Sequence, residues 1–310
     1  MITIFTIPKA FDGHINIIQR NAIQSWTCLR PECEIILCGD DPGVRETGAE
    51  FGLTHIPDID RNEFATPLLS SAFEKVKKAA STDLLCYVNS DIIFLSDFVP
   101  SVKRINTDRF LLLGNRWNID VNEPIDFSDN SWEEGLRESV KSNGSLQPPL
   151  GTDYFVLKKD EALSDIPPFA VGRPFWDLWF IYHARKNKYK VIDASQAITV
   201  LHQNHNYAHL RRDYCRNQSE DFNWGGADGP EVDKQKEIMD GEEKWCKLMD
   251  ATHVLTQKEF RRAVDYEHLR RRFDTLPVFY PQVKPVIEFI NRNLVANVRK
   301  YRKKRLQGLM

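Results

Sequence analysis

The chain has 310 residues, 42% of them apolar and 28% charged, with a formal net charge of -2. That length can bury one large core and leave room for a small second module, and its composition excludes a disordered chain. The balance of 42 Lys and Arg against 44 Asp and Glu argues against nucleic acid as the main partner. No run of about 18 apolar residues occurs, so no membrane-spanning helix is expected. The opening Met1-Ile-Thr-Ile-Phe-Thr-Ile-Pro8 lacks the cationic start of a secretory leader and reads as a first buried strand. A cytoplasmic chain is therefore expected, and its six cysteines, which form no C-x-x-C pair, are expected as reduced thiols.

Strand and helix signals alternate from the N-terminus. Ile2 to Ile7 is a β-branched run, and residues 14–26 carry Ile15, Ile18, Ala22 and Trp26 at helical spacing. Glu34 to Cys38 is an apolar strand stopped by Gly39-Asp40-Asp41-Pro42; residues 68–80 read as a helix, and Leu84 to Val88 and Phe110 to Leu113 as further strands. Strands apolar throughout and separated by helices predict a mostly parallel sheet covered on both faces, an α/β fold. Residues 115–150 show little periodicity and read as one long loop. A strand follows at Tyr154 to Leu157, a helix over 174–187 opening on Pro174, and short strands near Lys190–Ile192 and Ile198–Leu201. From about residue 231 the chain reads as helical and charged, with a proline break over 277–285. The expected division is a binding and catalytic domain over 1–230 and a helical extension over 231–310.

Candidate chemistry gathers at Tyr87-Val-Asn-Ser-Asp-Ile-Ile-Phe94, where an apolar strand ends at Asn89-Ser90-Asp91. Ligands of open parallel sheets bind beyond the carboxyl ends of strands, so a carboxylate there can hold a divalent ion that clamps a diphosphate. The bland alternative is a strand-end turn, in which Asn, Ser and Asp serve local hydrogen bonds. His202 and His205 are metal-ligand candidates beside such a carboxylate, or histidines bonded within a loop. Lys9 faces phosphate or solvent, and Arg116 contacts a diphosphate or makes a surface ion pair. Trp117, Trp132 and Trp176 offer aromatic planes to the C–H faces of sugar rings, with core packing as the alternative. No G-x-G-x-x-G, P-loop or H-E-x-x-H motif is present.

Over about residues 1–207 the sequence resembles the GT-A glycosyltransferases. Asn89-Ser90-Asp91 resembles their DxD motif, with Asn89 in place of the first Asp. Gly151-Thr-Asp-Tyr-Phe155 is similar to the glycine loop before the acceptor-side strand, here with a single glycine. Phe175-Trp-Asp177 resembles the motif whose last carboxylate is the base of inverting members, and His202 the histidine that completes the metal shell. The resemblance implies that Thr6, Ile7, Pro8 and Lys9 hold the nucleotide, with Asp40 or Asp41 near the base. It further implies donor contacts from Asn89, Ser90 and Asp91 and acceptor contacts from Gly151 and Thr152, to which residue chemistry adds Arg116 on the donor side and Trp117, Trp132 and Trp176 on the acceptor side. Asp91 with His202, or alternatively His205, would hold Mn²⁺ or Mg²⁺, and Asp177, with Asp153 as rival, would be the general base.

The expected function is inverting, metal-dependent transfer of a sugar from a nucleoside-diphosphate donor to a glycan or lipid-linked acceptor, as in polysaccharide biosynthesis. The alternatives are a non-catalytic binding protein on the same fold and a nucleotidyltransferase. Residues 286–305, with Ile287, Ile290, Leu294, Val298 and Tyr301 at helical spacing before Arg299-Lys-Tyr-Arg-Lys-Lys-Arg305, read as a basic amphipathic helix. Such a helix lies on an anionic membrane or docks as a terminal helix whose cations complement its dipole.

Overall fold

The computed structural model of the chain describes residues 1–149, 152–159, 165–205, 229–239, 246–290 and 292. It divides into two compact units, 1–262 and 263–310.

The first unit is built on a nine-stranded mixed sheet. Strand β1 (Ile2–Thr6) lies between β2 (Glu34–Cys38) and β4 (Leu84–Val88), parallel to both, and β3 (Thr54–Ile56) extends the edge beside β2. Beyond β4 comes β9 (Tyr154–Lys158), antiparallel to β4 and to β6 (Phe110–Leu113). Then follow β10 (Lys190–Gln196) and β12 (His253–Thr256), both parallel to β6, and the antiparallel edge strand β13 (Phe260–Arg262). A second sheet of four short strands has the order β5 (Ile92–Phe94), β11 (Val200–Gln203), β7 (Trp117–Ile119), β8 (Ser145–Leu146).

The apolar strands are continuous because both faces of the large sheet are covered. On one face Ile2 and Ile4 of β1 join Ala22, Ile23 and Trp26 of helix α1 (Gly13–Thr27) in the main core. On the other, Phe5 packs edge-on to Phe73 of α3 (Leu69–Ala79), and Phe73 stands 5.4 Å from Phe180 of α6 (Trp176–Lys186). Trp26 also donates its indole N–H to the Ile92 carbonyl (2.9 Å), which ties α1 to β5.

Four sequence expectations are corrected. Residues 115–150 are not one loop: the segment holds β7, β8 and helix α5 (Trp132–Asn143). The helix carries only Trp132, Leu136 and Val140 as an apolar stripe, packed over a small second core of Ile93, Leu95, Ile119 and Leu201. The region from residue 231 is not helical throughout, since β12 and β13 complete the large sheet after helix α7 (Pro230–Ile238). Pro174 lies ahead of α6, whose N-cap is Phe175 with a left-handed φ of 87°. In the second unit, α8 (Tyr266–Phe279) is capped by Asp265, which accepts from His268 N, and it runs through Pro277. The strongly basic 299–305 run lies outside the described residues. No helix among the described residues is long and apolar enough to cross a membrane.

Gly114, at the end of β6, allows one close approach: a Cβ there would lie 2.5 Å from the Tyr154 hydroxyl oxygen and 3.2 Å from Ser195 N. Tyr154 is fully buried and cannot step aside. Gly114→Ala is expected to lose about 1–3 kcal/mol of stability through overpacking. Gly135→Ala in exposed α5, with nothing within 4 Å of the new methyl, is expected to gain about 0.5–1 kcal/mol. Urea unfolding midpoints of the two variants check both signs.

Candidate active site

Five chain segments converge at one edge of the large sheet. The parallel strands β1 and β4 deliver Ile7-Pro8-Lys9 and Asn89-Ser90-Asp91 at their carboxyl ends. Because β9 is antiparallel and pairs Tyr154 with Val88, its amino end brings Thr152 and Asp153 to the same edge. The first turn of α6 adds Asp177, and the exit of β11 adds His202 and His205. They line a cavity of about 370 Å³, together with Arg116, Trp176, Asp41, Arg61 and Arg173.

Asp91 Oδ2 lies 3.0 Å from His205 Nε2 and 3.5 Å from His202 Nε2. One ligand atom from each of these three residues falls within 4.8 Å of the other two. Burial pushes the Asp91 carboxyl up, but His202 and His205 outweigh it and hold it well below the usual carboxylate range. Burial, helped by the Arg116 charge, lowers the His202 pKa and favours the neutral imidazole that binds metals. Asp91 Oδ1 and His202 Nδ1 are buried with no hydrogen-bond partner among the described residues. Two imidazoles and one ionised carboxylate, with a buried oxygen lacking a partner, fit a divalent cation.

Asn89 does not join that set. Its amide donates to Asp153 Oδ1 (2.9 Å), its backbone N–H donates to the Asp153 carbonyl (2.9 Å), and Arg116 forms an ion pair with the same Asp153 oxygen. Asp177 is differently placed: its Oδ2 accepts a long bond from Thr152 N (3.4 Å). Burial above all, with the Asp153 charge, pushes its pKa up to about 7 against the pull of the Leu178, Thr152 and Asp177 backbone N–H groups. Lys9 is lowered by burial and by Arg173, with Asp91 opposing.

The cavity thus gathers Ile7, Pro8, Lys9, Asn89, Ser90, Asp91, Arg116, Thr152, Asp153, Trp176, Asp177, His202 and His205 from the expected site. Thr6 is fully buried behind it. Asp40 is mostly exposed and pairs with Arg61 (2.6 Å), so Asp41 is the one of the two that lines the cavity. Trp117 and Trp132 pack against the small second core instead, and Trp176 is only 6% exposed, edge-on to Tyr87. Gly151 lies outside the described residues. Sequence reasoning passed over Arg61 and Arg173, which no spacing marks. It also passed over α7, where Glu231 accepts from Arg173 Nε (2.6 Å) and Asn62 (2.7 Å), and Gln235 accepts from Ala170 N (2.9 Å). The expected boundary at 230/231 falls just before this brace, whereas the compact unit runs to Arg262.

No protein-family model and no curated protein matches the chain. Among solved structures it is similar to GalNAc-T7 with UDP, GalNAc and Mn²⁺ at 13% identity and a TM-score of 0.47, covering 77% of this chain and 48% of that one. It is similar to glucosyl-3-phosphoglycerate synthase from Mycobacterium tuberculosis with Mg²⁺ and UDP at 12% identity and a TM-score of 0.40, covering 67% and 73%. It is also similar to a mannosyltransferase from Pyrobaculum calidifontis with GDP-Man and Mn²⁺ at 12% identity and a TM-score of 0.42, covering 66% and 57%. The chain spans about half the length of the GalNAc-T7 structure, and at these identities the likeness is one of fold.

The high Asp177 pKa has a consequence for stability. The folded value, about 7, exceeds the ordinary 3.8, so the native state keeps this proton after the unfolded chain has lost it. The stability it contributes is present below pH 3.8 and is lost as pH rises to about 7, where the fold must hold a desolvated carboxylate. Asp177→Asn, always neutral, should raise the melting temperature most above pH 7, with the difference shrinking toward pH 4. Scanning calorimetry across that range checks the trend; an equal loss at every pH would contradict it.

Proposed function

We propose that this chain transfers a sugar from a nucleoside-diphosphate donor to a hydroxyl group of a glycan or lipid-linked acceptor, with inversion at the anomeric carbon. The carrying observation is that one cavity holds the Asp91, His202 and His205 set together with a separately titrating carboxylate, Asp177. Those first three residues would hold Mn²⁺ or Mg²⁺, which when bound neutralises a diphosphate's charge. Lys9, Arg116 and Arg173 surround the same space with cationic groups suited to phosphate oxygens.

In the transfer, the acceptor oxygen bonds to the anomeric carbon as the bond from that carbon to the diphosphate breaks. The acceptor's proton passes to a carboxylate, and the nucleoside diphosphate departs. Asp177 suits this role because a pKa near neutrality matches a general base to its working pH. Asp153 suits it less, since its Oδ1 already accepts from Arg116 and Asn89. The first turn of α6 also favours the ionised form of Asp177 once the proton is released.

Incubation with UDP-, GDP- and dTDP-sugars and Mn²⁺ should release nucleoside diphosphate in the presence of acceptor. Release of pyrophosphate would point to a nucleotidyltransferase, and binding without any product to a non-catalytic protein. Asp91→Ala should abolish Mn²⁺ binding measured by titration calorimetry. Asp177→Asn should reduce kcat by about 10²-fold or more, with little change in donor affinity. In the parent, kcat/KM should rise through pH of about 7 as Asp177 loses its proton. A product of retained anomeric configuration would overturn the inverting mechanism.

The proposal extends to the second unit, where Tyr266, Leu269, Tyr280, Val286 and Phe289 are exposed ahead of the basic 299–305 run. Exposed apolar side chains followed in sequence by clustered cations suit an anionic lipid surface. Flotation with anionic vesicles should retain the full chain and lose it on Phe289→Ser with Tyr266→Ser; no retention of the parent would remove the membrane from the proposal.

A further inference from the structure

Behind the cavity lies a set of buried amides that the transfer chemistry does not use. Gln203, at the end of β11, is fully buried, and Gln19 and Asn21 of α1 are 1% and 3% exposed. Gln203 donates its backbone N–H to the Asp91 carbonyl (3.2 Å), and its side-chain Nε2 donates to the same carbonyl (3.2 Å) and to the Ile18 carbonyl (2.7 Å). Its Oε1 accepts from Asn21 Nδ2 (3.1 Å). Gln19 Oε1 accepts from Lys9 N (2.7 Å) and Ser90 Oγ (2.9 Å), while its Nε2 donates to the Lys9 carbonyl (2.9 Å).

We infer that Gln203 is a positioning residue that sets the distance from Asp91 to the two histidines. The inference rests on the metal-binding reading of those residues. Asp91 sits in a turn between β4 and β5, whereas His202 and His205 belong to a different segment more than a hundred residues later. Gln203 lies directly between the two histidines in sequence. Its two bonds to one carbonyl fix the backbone of the carboxylate residue to the backbone that carries the imidazoles. Its bond to Ile18 then anchors both to α1, a helix held in the main core. Gln19 does the same for the neighbouring turns, clamping both backbone groups of Lys9 and the hydroxyl of Ser90. Buried amides with these donors and acceptors satisfied resist displacement, because moving one leaves several polar groups desolvated and unpaired.

Partners that orient metal ligands typically change affinity by 10- to 100-fold when lost. Gln203→Met keeps the side-chain length but removes both side-chain donations; Gln203→Asn keeps an amide one methylene too short to make them. Thr3→Ala serves as the control, since its hydroxyl bonds Glu34 and Thr82 at the opposite end of β1. Calorimetric titration of the full chain with Mn²⁺ should show affinity reduced about 10- to 100-fold in each Gln203 variant that folds. The control should lose thermal stability with affinity unchanged. A second readout needs no metal: the His205 imidazole Nε2 resonance reports its contact with Asp91, and should shift in the Gln203 variants but not in Thr3→Ala. If the parent binds no Mn²⁺ while this resonance responds as expected, the metal reading fails and the positioning role stands. Unchanged affinity and an unshifted resonance in the Gln203 variants overturn the inference. So do changes in affinity and resonance that merely follow melting temperature, in the control as well.

Discussion

The arrangement depends on the direction of a single strand. Strand β9 runs against both of its neighbours, pairing Leu84 with Lys158 at one end and Val88 with Tyr154 at the other. Were it parallel to β4, the Thr152–Asp153 end would lie at the far edge of the sheet from Asn89 and Asp91. Running antiparallel, it brings Asp153 against Asn89 through both a backbone and a side-chain bond. Those bonds close one wall of the cavity and give Arg116 its partner. The site is thus a product of sheet topology before it is a product of side-chain chemistry.

That topology also accounts for the residue types. Position 89 faces the Asp153 carboxylate, so an amide can donate where a carboxylate would meet a like charge. Asn89 therefore belongs to the structural pair with Asp153, and Asp91 is the carboxylate that faces the two histidines. His202 and His205 bring imidazoles to Asp91, where a second carboxylate would add repulsion. Asp177, raised above all by burial, also feels Asp153 as a repelling charge.

Much of this was legible in the sequence where burial is two-sided. β1, β2, β4 and β6 read correctly because continuous apolar runs have one structural outcome once helices cover both faces. The segments containing β7, β8 and α5 did not, since a helix resting on a small core needs only Trp132, Leu136 and Val140 as its stripe. Five residues of β7 and β8 add too little pattern to register. β12 and β13 were lost among charged neighbours, because an edge strand such as Phe260–Arg262 keeps its charges in water. Within the site, residues at strand ends could be found from position, whereas Arg61 and Arg173 reach the cavity from irregular segments without periodicity. Trp117 and Trp132 were offered as acceptor contacts because their surroundings in sequence are polar, whereas tertiary packing sets each against the small core. Gln203 lies between the two candidate histidines in sequence, but hydrogen-bonded amides leave no signature in spacing.

The pairing of β7 with β8 has an implication for how such a site can diversify. Trp117 opposes Leu146, Asn118 opposes Ser145, and Gln147 N donates to the Arg116 carbonyl at 3.0 Å. The excursion between residues 120 and 144 is therefore closed at its neck, much as an Ω-loop is, with Arg116 and Gln147 held at the base. Its exposed turns can lengthen or shorten at small entropic cost without moving either residue. A graft must keep the apolar stripe of α5, Val121 and Ile125 over the small core, and the Glu123 carbonyl and Ile125 N–H that bond Asn21. Arg116 and Gln147 line the cavity and no residue between them does, so changes within the excursion reach the site through its neck and through the bonds to Asn21.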